Sequence, residues 1–128
     1  MKIKEVSELT KMSADTLRYY EKEGLIGPIP RINKVREYRE EDVNRIIFIQ
    51  HMRTAGMKIG TLKEYLEMVD AGESTQEDRL EVLEKHRDNL ISEIHDLEKI
   101  LNVIDVKIAN YHSRLSKKEK ELKNPHKS

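Results

Sequence analysis

The chain has 128 residues, 37% of them apolar and 38% charged, with 24 Lys and Arg against 24 Asp and Glu and no cysteine. That length holds one ordinary domain or a small domain with an extension, and the balance is that of helical and coiled-coil proteins. The missing cysteines exclude disulfides, thiolate metal sites, thiol redox sensing and cysteine nucleophiles. The zero net charge excludes nothing, because nucleic acid is met by a local basic face and not by a sum.

The first residues, Met1–Val6, lack the apolar run of a signal peptide, and the longest wholly apolar run is Ile46–Ile49. A soluble cytoplasmic protein with no membrane contact is expected. All five glycines and two of the three prolines lie at or before Gly72. The expectation is therefore of turns and short helices over 1–72, one long uninterrupted helix over 73–121, and a frayed tail over 122–128.

Ile3, Val6 and Leu9 repeat at helical spacing and predict a first helix of about two turns. Thr10–Met12 make a short link to Ser13, whose hydroxyl can cap a second helix, and Asp15 falls in its first turn where the dipole favours an acid. Leu17 and Tyr20 share one face, while Arg18, Tyr19 and Lys22 point elsewhere. Gly24 can take the left-handed conformation that ends a helix, with Leu25 packing back on it. Two helices joined by a tight link are the helix-turn-helix arrangement, in which the second helix enters the major groove of DNA, but two short helices close together also occur in many other folds, so this pattern alone leaves DNA binding open. The basic, aromatic side of this second helix suits phosphates.

Pro28 and Pro30 rule out helix, and Asn33-Lys34 offers a turn between Arg31-Ile32 and Arg36–Tyr38, which fits a small two-stranded wing with arginines on both strands or, alternatively, a structural hairpin with a solvated charged face; its position directly after the basic helix favours the wing. Glu40, Glu41 and Asp42 supply acid to the start of a third helix. Val43, Ile46, Ile47, Ile49 and Met52 are its buried stripe. A fourth helix turns Ile59, Leu62, Leu66 and Val69 inward and stops at Ala71-Gly72. Phe48 and Tyr65 are read as core or interface residues.

From Leu80 onward the pattern changes. Leu80, Leu83, Leu90, Ile94, Leu97, Leu101, Ile104, Ile108, Tyr111 and Leu115 alternate by three and four, with Arg87 the one polar interruption. A heptad seam of about five repeats is the mark of a coiled coil. A helix over 73–121 would be roughly 70 Å long and could not bury its seam against so small a head, so it needs a partner, most simply a second copy of itself. Val82, Ile91, Ile100, Val103 and Val106 lie off the seam and suggest a second apolar face against the partner's head, where a small-molecule pocket could form.

The sequence resembles the MerR family of bacterial transcription regulators. Glu5-Val6, Thr16-Leu17-Arg18-Tyr19-Tyr20-Glu21, Gly24-Leu25, Arg36, Tyr38, Asp42 and the Gly56-Met57 … Leu62-Lys63-Glu64 stretch carry the resemblance, which covers residues 1 to about 70. It implies a mainly α fold: a winged helix-turn-helix head followed by a long dimerisation helix that forms an antiparallel coiled coil. It also implies binding as a homodimer to double-stranded promoter DNA with an over-long spacer. Bending and untwisting that DNA would let RNA polymerase engage both promoter elements, so the polymerase is reached indirectly through the DNA; such deformation is indirect readout. By matching position, Arg18, Tyr19 and Tyr20 lie in the helix that meets DNA, Arg36 is the wing arginine, and Arg53 is a phosphate contact. Thr16, Tyr38 and Lys58 are further candidates. Tyr20 shares the face of Leu17, which leaves core and DNA contact both open for it.

Three departures from the family pattern stand out. Lys11 occupies a turn position where the family usually has glycine. Lys34-Val35-Arg36 replaces the usual Gly-Tyr-Arg of the wing. The cysteines of the metal- and thiol-sensing branches are absent, as is the large ligand-binding domain of the drug-sensing branch. The five histidines place no two on one helix face, and neither a phosphate loop nor a nucleophile–base pair appears, so no metal, cofactor or catalysis is expected. Two other readings stand beside the dimeric regulator: a coiled-coil adaptor with a degenerate DNA-binding head, and a repressor that needs no effector.

Overall fold

The computed structural model describes residues 1–112 and 114–126, the backbone only for 114–116. The elements run α1 (Ile3–Thr10), α2 (Ala14–Lys22), β1 (Arg31–Ile32), β2 (Val35–Arg36), α3 (Glu40–Thr54), α4 (Ile59–Ala71), a 3-10 turn (Glu73–Thr75), α5 (Gln76–Ala109) and α6 (Arg114–Glu121). Two compact units result, Met1–Leu83 and Glu84–Ser128. The first is a winged helix-turn-helix head.

Helix starts and stops in the head have identifiable causes. Ser13 Oγ accepts the Thr16 N–H at 3.1 Å and caps α2. Asp42 Oδ2 accepts the Arg39 N–H at 2.9 Å and caps α3, which accounts for a carboxylate only 7% exposed. At the other ends, α2 and α3 stop by the same device. Leu25 N–H donates to Tyr20 O at 2.9 Å with Gly24 at φ 79°, and Met57 N–H donates to Met52 O at 3.0 Å with Gly56 at φ 86°. In both motifs the next residue, Leu25 or Met57, drops into the core.

That core joins Val6, Leu17, Tyr20, Leu25, Ile26, Ile29, Tyr38, Val43, Ile46, Ile49, Met57, Leu62 and Leu66, with Ile3, Met12, Ile47, Phe48, Met52, Ile59 and Leu83 packed against it. One expected member of the α1 stripe is misplaced. Leu9 is 55% exposed, and Thr10 is buried in its stead. Helix α1 buries the 3-6-10 row, and the Thr10 hydroxyl stays inside because it donates to Val6 O at 2.7 Å.

The wing pairs Arg31 with Arg36 and Ile32 with Val35, antiparallel. Its turn residues Asn33 (φ 52°) and Lys34 (φ 68°) are both left-handed, as a two-residue turn matching the strand twist requires. The second strand was expected over 36–38 but ends at Arg36. Glu37 N–H still reaches Pro30 O at 2.8 Å, whereas Tyr38 N–H turns to Met1 O at 2.7 Å and the chain leaves the wing there.

The uninterrupted helix expected over 73–121 is broken. Helix α5 ends at Ala109, where Val106 O accepts both the Asn110 N–H at 3.2 Å and the Asn110 side-chain amide at 2.9 Å. Tyr111 N–H then bonds back only three residues, to Ile108 O. Helix α6 follows, tied to α5 by the Lys107–Glu119 ion pair at 2.7 Å. No residue of α5 is buried: Leu80, Ile94, Leu97, Leu101, Ile104 and Ile108 are 51–67% exposed, and Leu83 and Leu90 are half-buried. The side chain of Leu115 lies outside the described residues. Among the described residues, no helix is long and apolar enough to cross a membrane.

Candidate nucleic-acid interface

Helix α2 presents the candidate surface, because its capped start and glycine stop leave Leu17 and Tyr20 facing the core and Arg18, Tyr19 and Lys22 exposed. Arg18 Nη1 rests on Asp15 Oδ1 at 2.9 Å, a solvated pair with side chains 48% and 96% exposed. Such pairs contribute about 0–1 kcal/mol, so a phosphate can take the guanidinium over at little cost. Tyr19 is 46% exposed, its ring tilted 49° to that of Tyr20 at 6.0 Å. The half-buried Thr16 has its hydroxyl engaged with Ser13 Oγ at 2.8 Å.

Two tyrosines expected as candidates belong to the core. Tyr20 is 5% and Tyr38 3% exposed. For Tyr20 this decides between the two readings left open. Tyr38 is a correction: its hydroxyl is buried with no hydrogen-bond partner among the described residues, so it cannot meet DNA where it stands. Burial pushes its phenol above the ordinary range, with Glu21 and Asp42 adding to the shift and Arg36 and Arg18 opposing it.

The wing is fastened to α2 through one carboxylate. Glu21 Oε1 accepts from Arg36 Nε at 2.7 Å, and Oε2 accepts the Ile29 N–H at 3.2 Å with Arg31 Nη1 at 3.6 Å. The Glu21 side chain is 11% exposed. Burial pushes its carboxyl up, but the bonds from Arg36 and Ile29 and the two guanidinium charges outweigh that and hold it below the usual carboxylate range. Gly27 is what lets the loop come this close. At φ 74°, a Cβ there would stand 2.5 Å from Ile29 N and 3.2 Å from Glu21 Cγ.

The result is a cleft of about 280 Å³ between α2 and the wing, walled by Arg18, Lys22 and Arg36 over Glu21. The fold thus brings Arg18 and Arg36 to one site. Arg53 and Lys58 do not line it. They stand exposed at the α3–α4 junction, where Arg53 Nη1 donates to Met57 O at 2.8 Å and Lys58 immediately precedes α4 without a side-chain capping bond. Glu21, Lys22 and Arg31 were not singled out as site residues. Lys22 showed itself only as part of the basic face, and an acid inside a basic stretch gives no sequence signal of its own.

A larger groove, about 690 Å³, runs along α3 and α4, with Phe48 and Tyr65 stacked at 5.5 Å and 21° in its wall. Both of its arginines are paired: Arg45 binds Asp70 through both Nη groups at 2.7 and 3.1 Å and donates Nε to Leu25 O, while Arg39 pairs with Asp42. Among the described residues, no cluster of three or more His, Asp or Glu side chains is placed to hold a metal ion.

With this geometry in place, comparison with known proteins is decisive. The MerR HTH family regulatory protein pattern matches residues 1–69, more than half of the chain. The chain belongs to the MerR family. A second family pattern, MerR, DNA binding, matches residues 43–106. The transcriptional regulator AdhR of Bacillus subtilis (strain 168) is 42% identical over 92 residues, which cover 71% of this chain and 66% of AdhR. Among solved structures, one assigned to the MerR family transcriptional regulators of Listeria monocytogenes is 44% identical, with TM-score 0.77 over 96% of this chain and 94% of that one. HiNmlR, a MerR family regulator lacking the sensor domain and bound to promoter DNA, is 27% identical, with TM-score 0.71 over 98% and 96% of the two chains. The protein is accordingly a helix-turn-helix transcriptional regulator.

Proposed function

We propose that the protein is a homodimeric, non-enzymatic cytoplasmic regulator that binds double-stranded promoter DNA and bends and untwists it, acting on RNA polymerase through the DNA. The observation that carries this reading is the convergence of Arg18, Lys22 and Arg36 on one exposed cleft between helix and wing. Arg18 and Tyr19 face the major groove, Arg36 holds phosphate beside it, and Arg53 and Lys58 add backbone contacts further along the duplex. The promoter-bound state of HiNmlR, similar over nearly all of both chains, supports it.

Self-association rests on the α5 seam of Leu80, Leu83, Leu90, Ile94, Leu97, Leu101, Ile104 and Ile108, whose exposed members are too many for a helix in water. An antiparallel coiled coil built on α5, Gln76–Ala109, would cover them, and deformation of the DNA between the two heads would supply specificity at untouched base pairs.

The test is a mobility-shift titration on the DNA upstream of its own gene, at two salt concentrations, beside Arg18→Ala. Tight, salt-sensitive binding that the variant loses is expected. A folded dimer that binds this DNA no better than random duplex would overturn the reading in favour of the coiled-coil adaptor.

A further inference from the structure

We infer that Glu21, an acid beneath a DNA-facing surface, is a positioning residue that aims Arg36 at the DNA backbone. The inference rests on the DNA-binding reading above. A carboxylate in this place is electrostatically adverse, since it lies among the cations that would meet phosphates. It is nevertheless only 11% exposed, accepts two hydrogen bonds, from Arg36 Nε and Ile29 N–H, and has the Arg31 guanidinium beside it at 3.6 Å.

Its geometry explains why it is there. Arg36 is the only one of the three cleft cations that gives Glu21 a close bond, and it does so with Nε, at 2.7 Å. Among the described residues, its Nη1 and Nη2 have no partner, and both belong to a planar fork whose direction is fixed once Nε is held. The guanidinium is thereby anchored at its root and offered at its tip. Arg36 is also only 25% exposed, so its side chain has little freedom left to lose when it grips a phosphate. The other carboxylate oxygen holds Ile29 N–H, which leads into β1. One side chain therefore sets both the placement of the wing relative to α2 and the aim of its arginine.

This gives a test in which the two explanations have opposite signs. Glu21→Gln removes a negative charge and keeps the shape. If the acid were only a bystander, the variant would bind DNA as tightly as the parent or more so. If it positions Arg36, affinity for the upstream duplex falls about tenfold despite the added positive charge. The salt slope should fall by about 0.9 for each phosphate that is no longer gripped. The cycle with Arg36→Ala adds the readout that a structural effect would not move. In the Arg36→Ala background, Glu21→Gln should change affinity by less than twofold, because there is no arginine left to aim.

The full-length protein is titrated with a fluorescein-labelled upstream duplex and with a random duplex, by anisotropy at two salt concentrations. If the unsubstituted protein does not prefer the upstream duplex, the DNA-binding reading fails. If it does, two results overturn the positioning role alone: Glu21→Gln binding equally or more tightly, or Glu21→Gln losing as much affinity in the Arg36→Ala background as in the parent. Should Glu21→Gln fail to fold, Arg36→Lys replaces it. Lysine keeps the charge but has one nitrogen to share between Glu21 and phosphate, so a similar tenfold loss is expected, and parent-like affinity would overturn the inference.

Discussion

Val6, Leu17, Leu25, Ile46, Ile49 and Leu62 are wholly covered in the head, whereas Ile91, Ile94, Leu97, Ile100, Leu101, Val103, Ile104, Val106 and Ile108 in α5 keep 47–67% of their surface. The side chains are of the same kind. In the head, four helices and a wing surround each apolar residue with the chain's own atoms, so every one contributes about 1.5–3 kcal/mol without a partner. A lone helix offers no second surface, and its seam gains nothing without a partner. The head carries its fold within one chain, whereas under the proposed homodimer α5 would hold its burial in reserve for assembly.

The sharpest way to break this contrast is to treat both regions alike. Leu17→Ala removes a fully buried side chain from the core-facing side of α2 and is expected to cost about 2–5 kcal/mol, read as a drop in denaturant midpoint with unchanged slope. Leu97→Ala, by contrast, should barely alter a dilute monomer. The pair Leu97→Asp with Leu101→Asp should weaken self-association at least about a thousandfold, read by sedimentation equilibrium, while heteronuclear spectra of the head remain dispersed. An unsubstituted chain that sediments as a monomer at high micromolar concentration would sink the reserve-surface argument outright.

Next in size is the loop that lets the wing approach. Gly27→Ala forces a Cβ to within 2.5 Å of Ile29 N at a positive φ. About 1–3 kcal/mol of strain is expected, and the shift should loosen the bonds of Glu21 with it. Thermal melts and DNA affinity should fall together. A variant that melts normally yet binds poorly would separate the loop from the fold.

The Glu21 carboxyl titrates below its ordinary value in the folded state. Its contribution is therefore fully present above the unfolded-state range near pH 4.5 and is lost as pH falls through the lower folded value. The stability difference between the parent protein and Glu21→Gln should hold constant from about pH 7 to about 5 and close at more acid pH. A gap that widened on acidification would contradict the assignment of the charged form to the Arg36 bond.

Much of the head was legible because its punctuation is chemical. Ser13, Gly24 and Gly56 each need one particular backbone geometry, and the 3.6-residue period of α3 and α4 leaves little choice of face. What was not legible depended on neighbours distant in sequence. Leu9 and Thr10 compete for one place in α1, and a hydroxyl bonded to its own helix decides it. Tyr38 looks like a wing aromatic until Met1 O claims its N–H and turns the chain inward. Glu21 is one acid among 24 acidic residues until Arg36, fifteen positions on, reaches back to it. The end of α5 carries no such punctuation: the helix stops at Ala109 without glycine or proline, and Asn110, whose side-chain amide doubles its own backbone bond to Val106 O, gives no stop signal in sequence.

The smallest effect lies in the turn between α1 and α2. Lys11 sits at φ 60° and ψ 23°, the left-handed region that a residue with a Cβ enters at a cost of roughly 1–2 kcal/mol. Part of that would be returned to a glycine, whose own loss of freedom on folding offsets about half. Lys11→Gly should then stabilise the head by about 0.5–1 kcal/mol, and chemical denaturation should show it as a modestly higher midpoint. The side chain is exposed and has no partner among the described residues, so nothing else is lost with it. The change leaves α5 untouched, so self-association should be identical in the two proteins. A variant that gained head stability and also dimerised more tightly would show that the two regions are thermodynamically linked, and that the burial held in reserve along α5 depends on the state of the head.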